Sequence, residues 1–180
     1  LYRYSGQSDL IVGSPMSNRH YDKVESLVGF FVNSMPMRVQ FDCDETFLSA
    51  LKKTRNVVLA HYDNQDVPFD KIVDESNITR DWSKHPIFQT MFFVDTSKSF
   101  SDAFSDLHCH YEFIDNEVSK FDLLVSVKQD DDGLLMRFEY AKDLYMASTI
   151  ERLANNFTLL LESIALSPST KIDDYNIISE

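Results

Sequence analysis

The chain has 180 residues, 43% of them apolar, with 14 Phe and 8 Tyr, enough for one domain with a substantial core and unlike a disordered segment. Its 17 Lys and Arg against 29 Asp and Glu give a formal charge of −12, which disfavours nucleic acid as a partner. The two cysteines, Cys43 and Cys109, stand far apart and read as reduced thiols of a cytoplasmic protein; no apolar run approaches the ~18 residues of a membrane span, and no signal peptide is visible.

Leu1 to Tyr4 reads as the tail of an amphipathic helix. With no Met at its start, the chain is expected to be a piece of something longer. Residues 9–14 form a short apolar run ending at Gly13 and Pro15, the pattern of a buried strand. From Phe30 to Phe41 the sequence alternates, with Met35, Met37, Val39 and Phe41 on one face and Arg38 and Gln40 on the other. Asp44 is placed to cap a helix carrying Phe47, Leu51, Val58 and Tyr62 at helical spacing. Pro68 suits the first turn of a short helix reaching about Asp74, and Pro86 opens an apolar strand from Ile87 to Val94. Residues 95–106 read as a loop, and 107–114 alternate again through Leu107, Cys109, Tyr111 and Phe113. Residues 121–128 and 133–140 predict a hairpin turning at Asp130-Asp131-Asp132-Gly133, where glycine supplies a positive φ. A capping box, Ser148-Thr149-Ile150-Glu151, starts a last helix with the stripe Ile150, Leu153, Phe157, Leu160, Leu161 and Ile164, stopped by Pro168. The sum is a mixed α/β fold: one sheet flanked by helices.

Chemistry is hard to find in this chain. His108 and His110 share a strand face, but no third metal ligand accompanies them, so a polar outer face is the expected reading and no metal site is expected. His61 falls near a helix end, where an imidazolium favours the dipole, and it lacks a visible partner for general-base work. The Asp130–Gly133 run lacks the spaced carboxylates of a calcium loop. Ser14, Ser17 and Ser83 have no nucleophile setting, and no Gly-rich phosphate cradle is present. The residues alone describe a binding module or part of an enzyme.

Ordered segments point further. Ile11-Val12-Gly13-Ser14-Pro15 to Arg19, Val28-Gly29-Phe30-Phe31-Val32-Asn33-Ser34 to Arg38, Asn64-Gln65-Asp66-Val67-Pro68-Phe69-Asp70, Arg80-Asp81-Trp82-Ser83-Lys84-His85-Pro86-Ile87-Phe88-Gln89 and Lys120-Phe121-Asp122-Leu123 follow one another in sequence. Together they resemble the motifs of nonribosomal peptide synthetase condensation domains over nearly the whole chain. Ser17-Asn18 departs from the Ala-Gly usual in the first motif, and Asn64 from the usual His. The resemblance implies a chloramphenicol acetyltransferase-like lobe, the C-terminal of two, over residues 1–168, with 169–180 an exit linker towards an adenylation domain. It implies peptide-bond formation between carrier-bound thioesters in a tunnel between the lobes. Partners would be the N-terminal lobe and donor and acceptor carrier proteins, whose phosphopantetheine arms deliver the substrates; no cofactor is expected to bind the chain directly.

The family's His-His-x-x-x-Asp-Gly motif belongs to the N-terminal lobe, and none of the five His here stands in one. No catalytic residue is therefore assigned in this chain, and the lobe is expected to be inactive alone. By resemblance Gly13, Pro15, Arg19, Gly29 and Asn33 line the tunnel, with the Asn33 amide placed to orient a carbonyl or amine. Asp66, Pro68, Phe69, Arg80, Asp81, Pro86, Phe88 and Gln89 are expected to be structural. The alternatives are a docking module without chemistry, or an epimerization or cyclization relative.

Overall fold

The computed structural model describes residues 1–79, 81, 83–95, 114, 117–130 and 133–178. Among the described residues five strands form one mixed sheet in the order β2-β1-β3-β4-β5. They are β1 (Asp9–Met16), β2 (Asn33–Gln40), β3 (Thr90–Asp95), β4 (Leu123–Asp130) and β5 (Gly133–Tyr140). The two outer pairs are antiparallel, while β1–β3 and β3–β4 are parallel. Helices α1 (Tyr2–Ser5), α2 (Asp22–Glu25), α3 (Phe47–Asp63), α4 (Phe69–Glu75) and α5 (Ala147–Leu166) complete the described elements, with a 3₁₀ turn at Ile172–Asp174. This is the expected α/β class, a mixed sheet with flanking helices.

Helix α3 lies against β2 and α5 against β5. The alternation in β2 is realised: Met35 is buried, Met37 and Val39 half-buried, Arg38 and Gln40 exposed. Pro36 interrupts no internal ladder because β2 is an edge strand. On the open face Arg38 forks onto Asp9, its Nη2 2.6 Å from Oδ2, and Gln40 donates to the same oxygen. The Arg38 guanidinium, with help from Gln40, lowers the Asp9 carboxyl from 3.8 to about 2. At the other end of the sheet, Leu123 and Val125 of β4 close over Ile150 of α5, with Leu153, Phe138, Tyr140 and Tyr145 around them.

Four expectations shift. First, β1 runs past Gly13 and Pro15 to Met16, because its pairing with β2 continues to Met16↔Asn33. Second, the cap of α3 is Thr46, whose side chain accepts the Ser49 N–H. Asp44 instead adopts a left-handed φ of 66° and its Oδ1 binds Lys171 Nζ at 2.6 Å. Between them lies the buried Glu45. Burial pushes its carboxyl up, but Lys53, the Asp42 N–H and the Ser49 hydroxyl outweigh that and hold it below its ordinary value. Third, the face α3 turns inward carries buried Ala50 with half-buried Thr54, Val57, Val58 and His61, while Leu51 and Tyr62 point outward. A small residue and a hydrogen-bonding one, not the largest apolar side chains, seat the helix: His61 reaches Pro36 O of β2 at 2.8 Å. Fourth, the N-cap of α5 is Met146, whose carbonyl accepts the Thr149 and Ile150 N–H groups, so Ser148 sits inside the first turn rather than at the cap.

The last segment packs back on the body as far as Tyr175. Thr46 bridges Lys171, Ile172 N–H donates to Glu45 O, and Arg3 Nη1 donates to the carbonyls of Ile172 and Tyr175. Tyr175 is buried and its hydroxyl donates to Ser167 O at 2.6 Å. The two ends of the chain thus clasp each other beside the start of α3. The hairpin turn at 131–132, Arg80, Trp82, and the strand and His pair expected within 107–114 lie outside the described residues, except Ile114.

Candidate functional site

The segments singled out by motif come together along β1: Asn33 and Arg19 stand where β1 ends and β2 begins, while Gly13, in the middle of β1, faces Phe88 just ahead of β3. Asn33, the first residue of β2, is the staple. Its Nδ2 donates to Gln65 O at 3.0 Å and Val67 O at 2.8 Å, and its Oδ1 accepts from Ser34 N–H at 3.0 Å and Phe69 N–H at 3.2 Å. An amide side chain has two donor hydrogens and one acceptor oxygen, and all are engaged within the chain. One residue therefore ties β2 to the turn between α3 and α4.

Arg19 is a second node. Its Nη1 donates to Val24 O at 2.6 Å, Leu27 O at 2.7 Å and Glu25 O at 3.3 Å, and Nη2 to Gly29 O at 3.3 Å. The guanidinium carbon stands 4.2 Å over the Phe31 ring. Residues 20–32, which join β1 to β2 and contain α2, are gathered around this single cation. Gly29 is part of the fit: a Cβ there would stand 3.1 Å from Phe31 Cε2. The space left by its missing side chain is filled by Phe31. Neighbouring His20 packs at a tilt against Tyr21, ring centroids 4.2 Å apart, and approaches Asp66 Oδ1 at 3.4 Å, a contact between this loop and the segment after α3.

Next to Asn33, through Phe69, lies an aromatic cluster. Phe88, 1% exposed, has ring neighbours His85 at 4.2 Å, Phe69 at 5.7 Å and Phe121 at 5.8 Å. A Cβ on Gly13 would fall inside the Phe88 ring, so glycine at this point of β1 is the seat of that ring. His85 packs against Phe69 and Phe121 as well, and its Nδ1 is buried without a hydrogen-bond partner. Burial pushes this imidazole below its ordinary 6.5, against a smaller upward pull from a backbone bond to Phe88. Gln89 Nε2 donates to His85 O and closes the turn before β3. The strand proper begins at Thr90 rather than Ile87, because Phe88 turns into the cluster and the ladder to β4 starts at Thr90↔Leu123.

The remaining motif residues are turn formers. Pro68 is the N-cap of α4 with extended backbone, and Asp81 Oδ1 accepts the Ser83 N–H and hydroxyl. Those bonds, with Lys84 nearby, hold the Asp81 carboxyl below its ordinary value. Pro86 is half-buried, and Pro15 lies on β1 opposite Ser34. Among the described residues no group of three His, Cys, Asp or Glu is placed to hold a metal, and no helix is long and apolar enough to cross a membrane. Both ring nitrogens of His61 face backbone carbonyls, Nδ1 2.8 Å from Val57 O and Nε2 2.8 Å from Pro36 O, and a ring N–H donates to one of them according to the tautomer. Sequence reasoning did not find Phe31 or His85 as site members. Their signal was present only as positions inside the quoted motifs.

A family model described as Condensation domain matches residues 1–180. The chain belongs to the condensation domain family. It is 36% identical over 180 residues to surfactin synthase subunit 1 of Bacillus subtilis (strain 168), covering 100% of this chain and 5% of that protein. Bacitracin synthase 3 of Bacillus licheniformis is 34% identical over 183 residues, covering 100% of this chain and 3% of that one. Among solved structures, the four-domain nonribosomal peptide synthetase holo-AB3403, bound to AMP and glycine, superposes with a TM-score of 0.89 at 18% identity, over 99% of this chain and 15% of that one. The X-domain from teicoplanin biosynthesis, in complex with OxyB, gives 0.84 at 26% identity over 99% and 40%. This condensation domain chain thus spans a small part of the curated relatives it matches, and its described residues share the fold of these solved structures.

Proposed function

We propose that this chain is the C-terminal lobe of a peptide-bond-forming condensation domain in a nonribosomal peptide synthetase. The observation that supports it best is a family-wide match combined with the absence of the His-His-x-x-x-Asp-Gly motif from the sequence. Among the described residues His20 lies 3.4 Å from Asp66 Oδ1, both ring nitrogens of His61 face backbone carbonyls and His85 is packed among aromatic rings. A general base must hold a free basic nitrogen within reach of the proton it takes. That group comes from the N-terminal lobe in this account, and residues 1–168 supply one wall of the tunnel, with 169–180 leading towards an adenylation domain.

In the reaction, the amine of an acceptor aminoacyl thioester attacks the carbonyl carbon of a donor thioester. The new C–N bond forms, the C–S bond breaks, the amine proton leaves to base and the donor arm departs as a thiol. Both phosphopantetheine arms are substrates delivered by carrier proteins. The lobe contributes orientation, which is worth several orders of magnitude when geometry is held tightly. Gly13, Pro15, Arg19, Gly29 and Asn33 belong to that wall as builders: each shapes backbone or packing.

The test compares the isolated chain with the same chain joined to its N-terminal lobe, each mixed with donor- and acceptor-loaded carrier proteins. Intact mass of the acceptor carrier reads the product. The joined domain is expected to transfer the donor acyl group and the isolated chain none. Transfer by the isolated chain would overturn the assignment.

A further inference from the structure

We propose that Arg19 serves the condensation reaction as a positioning residue that never touches substrate, by holding loop 20–32 in one preformed shape. This rests on reading the chain as a condensation-domain lobe. Three observations converge on it. Four backbone carbonyls, of Val24, Glu25, Leu27 and Gly29, surround Nη1 and Nη2 of the guanidinium. Its face is covered by the Phe31 ring at 4.2 Å, and that ring occupies the room Gly29 leaves. The loop's own backbone bonds are local, among them Val24 N–H to Tyr21 O, Ser26 N–H to Val24 O and Leu27 N–H to Val24 O, and α2 is one turn long, whereas the Arg19 bonds span residues 24–29.

The loop also presents apolar side chains outward. Val28 is fully exposed, Phe30 is 92% exposed, and Leu27 and Val32 are about half exposed. A loop of that composition keeps such side chains at fixed points only if its backbone is over-determined, and a planar cation bonding several carbonyls does that more rigidly than an ammonium. Asn33 anchors the far end of the same segment to the α3–α4 turn. Arg19 therefore acts through Val28, Gly29 and Phe30, and the loop is built before substrate arrives.

The experiment uses the full condensation domain with loaded carriers. Arg19→Ala, Arg19→Lys and Phe31→Leu are compared with wild type in two readouts. The first, without carriers, is hydrogen exchange of the amides of residues 20–32. The second is single-turnover condensation. We expect exchange in the loop to rise at least about tenfold in Arg19→Ala with β1 and β2 unaffected, and the condensation rate to fall about 10- to 100-fold, as misplacement of a site wall does. Added guanidinium should restore part of both in Arg19→Ala, Arg19→Lys should resemble Arg19→Ala, and Phe31→Leu should move both readouts in the same direction by less. The proposal is overturned if Arg19→Ala loses condensation while the loop stays protected, which would place Arg19 on substrate, or if the loop opens and the rate is unchanged. Because exchange is read without carriers, a wild-type domain that fails to condense would count against the proposed function and leave the loop result separate. Phe31→Leu, which leaves the arginine in place, decides the matter if Arg19→Ala does not fold.

Discussion

Replacing Asn33 separates a staple from a substrate-orienting amide. In the structure its side chain makes four bonds to Gln65 O, Val67 O, Ser34 N–H and Phe69 N–H, at 2.8–3.2 Å. Neutral hydrogen bonds contribute roughly 0.5–1.5 kcal/mol each, and the half-buried site lets water recover some of the four, so Asn33→Ala should cost about 2–3 kcal/mol. For a chain of this size that corresponds to a loss of roughly 4–12 °C in Tm. Asn33→Asp is the sharper probe. It keeps the acceptor for Ser34 and Phe69 but loses both donors and sets a carboxylate against two carbonyl oxygens, so it should be destabilised at least as much as alanine despite its near-identical shape. The assay is urea denaturation of the full domain alongside its condensation rate. The reasoning is refuted if both variants keep wild-type stability while condensation is lost, because the amide would then be serving substrate.

Three further perturbations follow from the packing. Gly13→Ala drives a methyl into the Phe88 ring and should cost about 1–3 kcal/mol, with Phe88→Leu in the same chain recovering part of it; simple additivity of the two in denaturation midpoints would contradict the contact. His85 is held below its ordinary 6.5 by burial, so the unfolded chain binds more protons than the folded one on the acid side of that value. Its contribution is complete above about 6.5 and is lost as pH falls through that value, levelling off below the folded pKa; the denaturation midpoint should decline from about pH 8 to about pH 5, and His85→Phe should flatten that decline. Tyr175→Ala should destabilise by about 3–5 kcal/mol and Tyr175→Phe by about 1, measured as urea midpoints at unchanged slope, since the ring is buried and the hydroxyl makes one bond to Ser167 O.

Local pattern carried the strands well and the helix ends poorly. The alternation of Met35, Met37 and Val39 against Arg38 and Gln40 survives because a half-buried edge strand has one wet face, and its period is written in the side chains. The hairpin strands 121–128 and 133–140 emerge as β4 and β5, shifted by two residues only at the first. Asp44 and Thr46 are both good capping residues, and nothing local says that Lys171, 127 positions away, claims Asp44. On α3 the expected Phe47 and Val58 are half-buried but Leu51 and Tyr62 are exposed, because Ala50 and His61 fit the closer approach to β2. The site is a tertiary construction. Asn33 bonds residues more than 30 positions on, and the need for glycine at 13 exists only because Phe88 arrives there. Motif order disclosed which residues belong together, and distance alone disclosed that they hold one another.

The central claim is that this lobe shapes the reaction and supplies no proton acceptor. The direct measurement is single-turnover condensation by the full domain, at saturating loaded carriers, with His20, His61, His85, His108 and His110 replaced one at a time. A general base contributes about 10²- to 10⁴-fold to rate. Each folded variant is predicted to stay within about tenfold of wild type with an unchanged pH–rate profile. A folded variant that loses the rate by the full factor, together with the acid limb of the profile, would contradict the account.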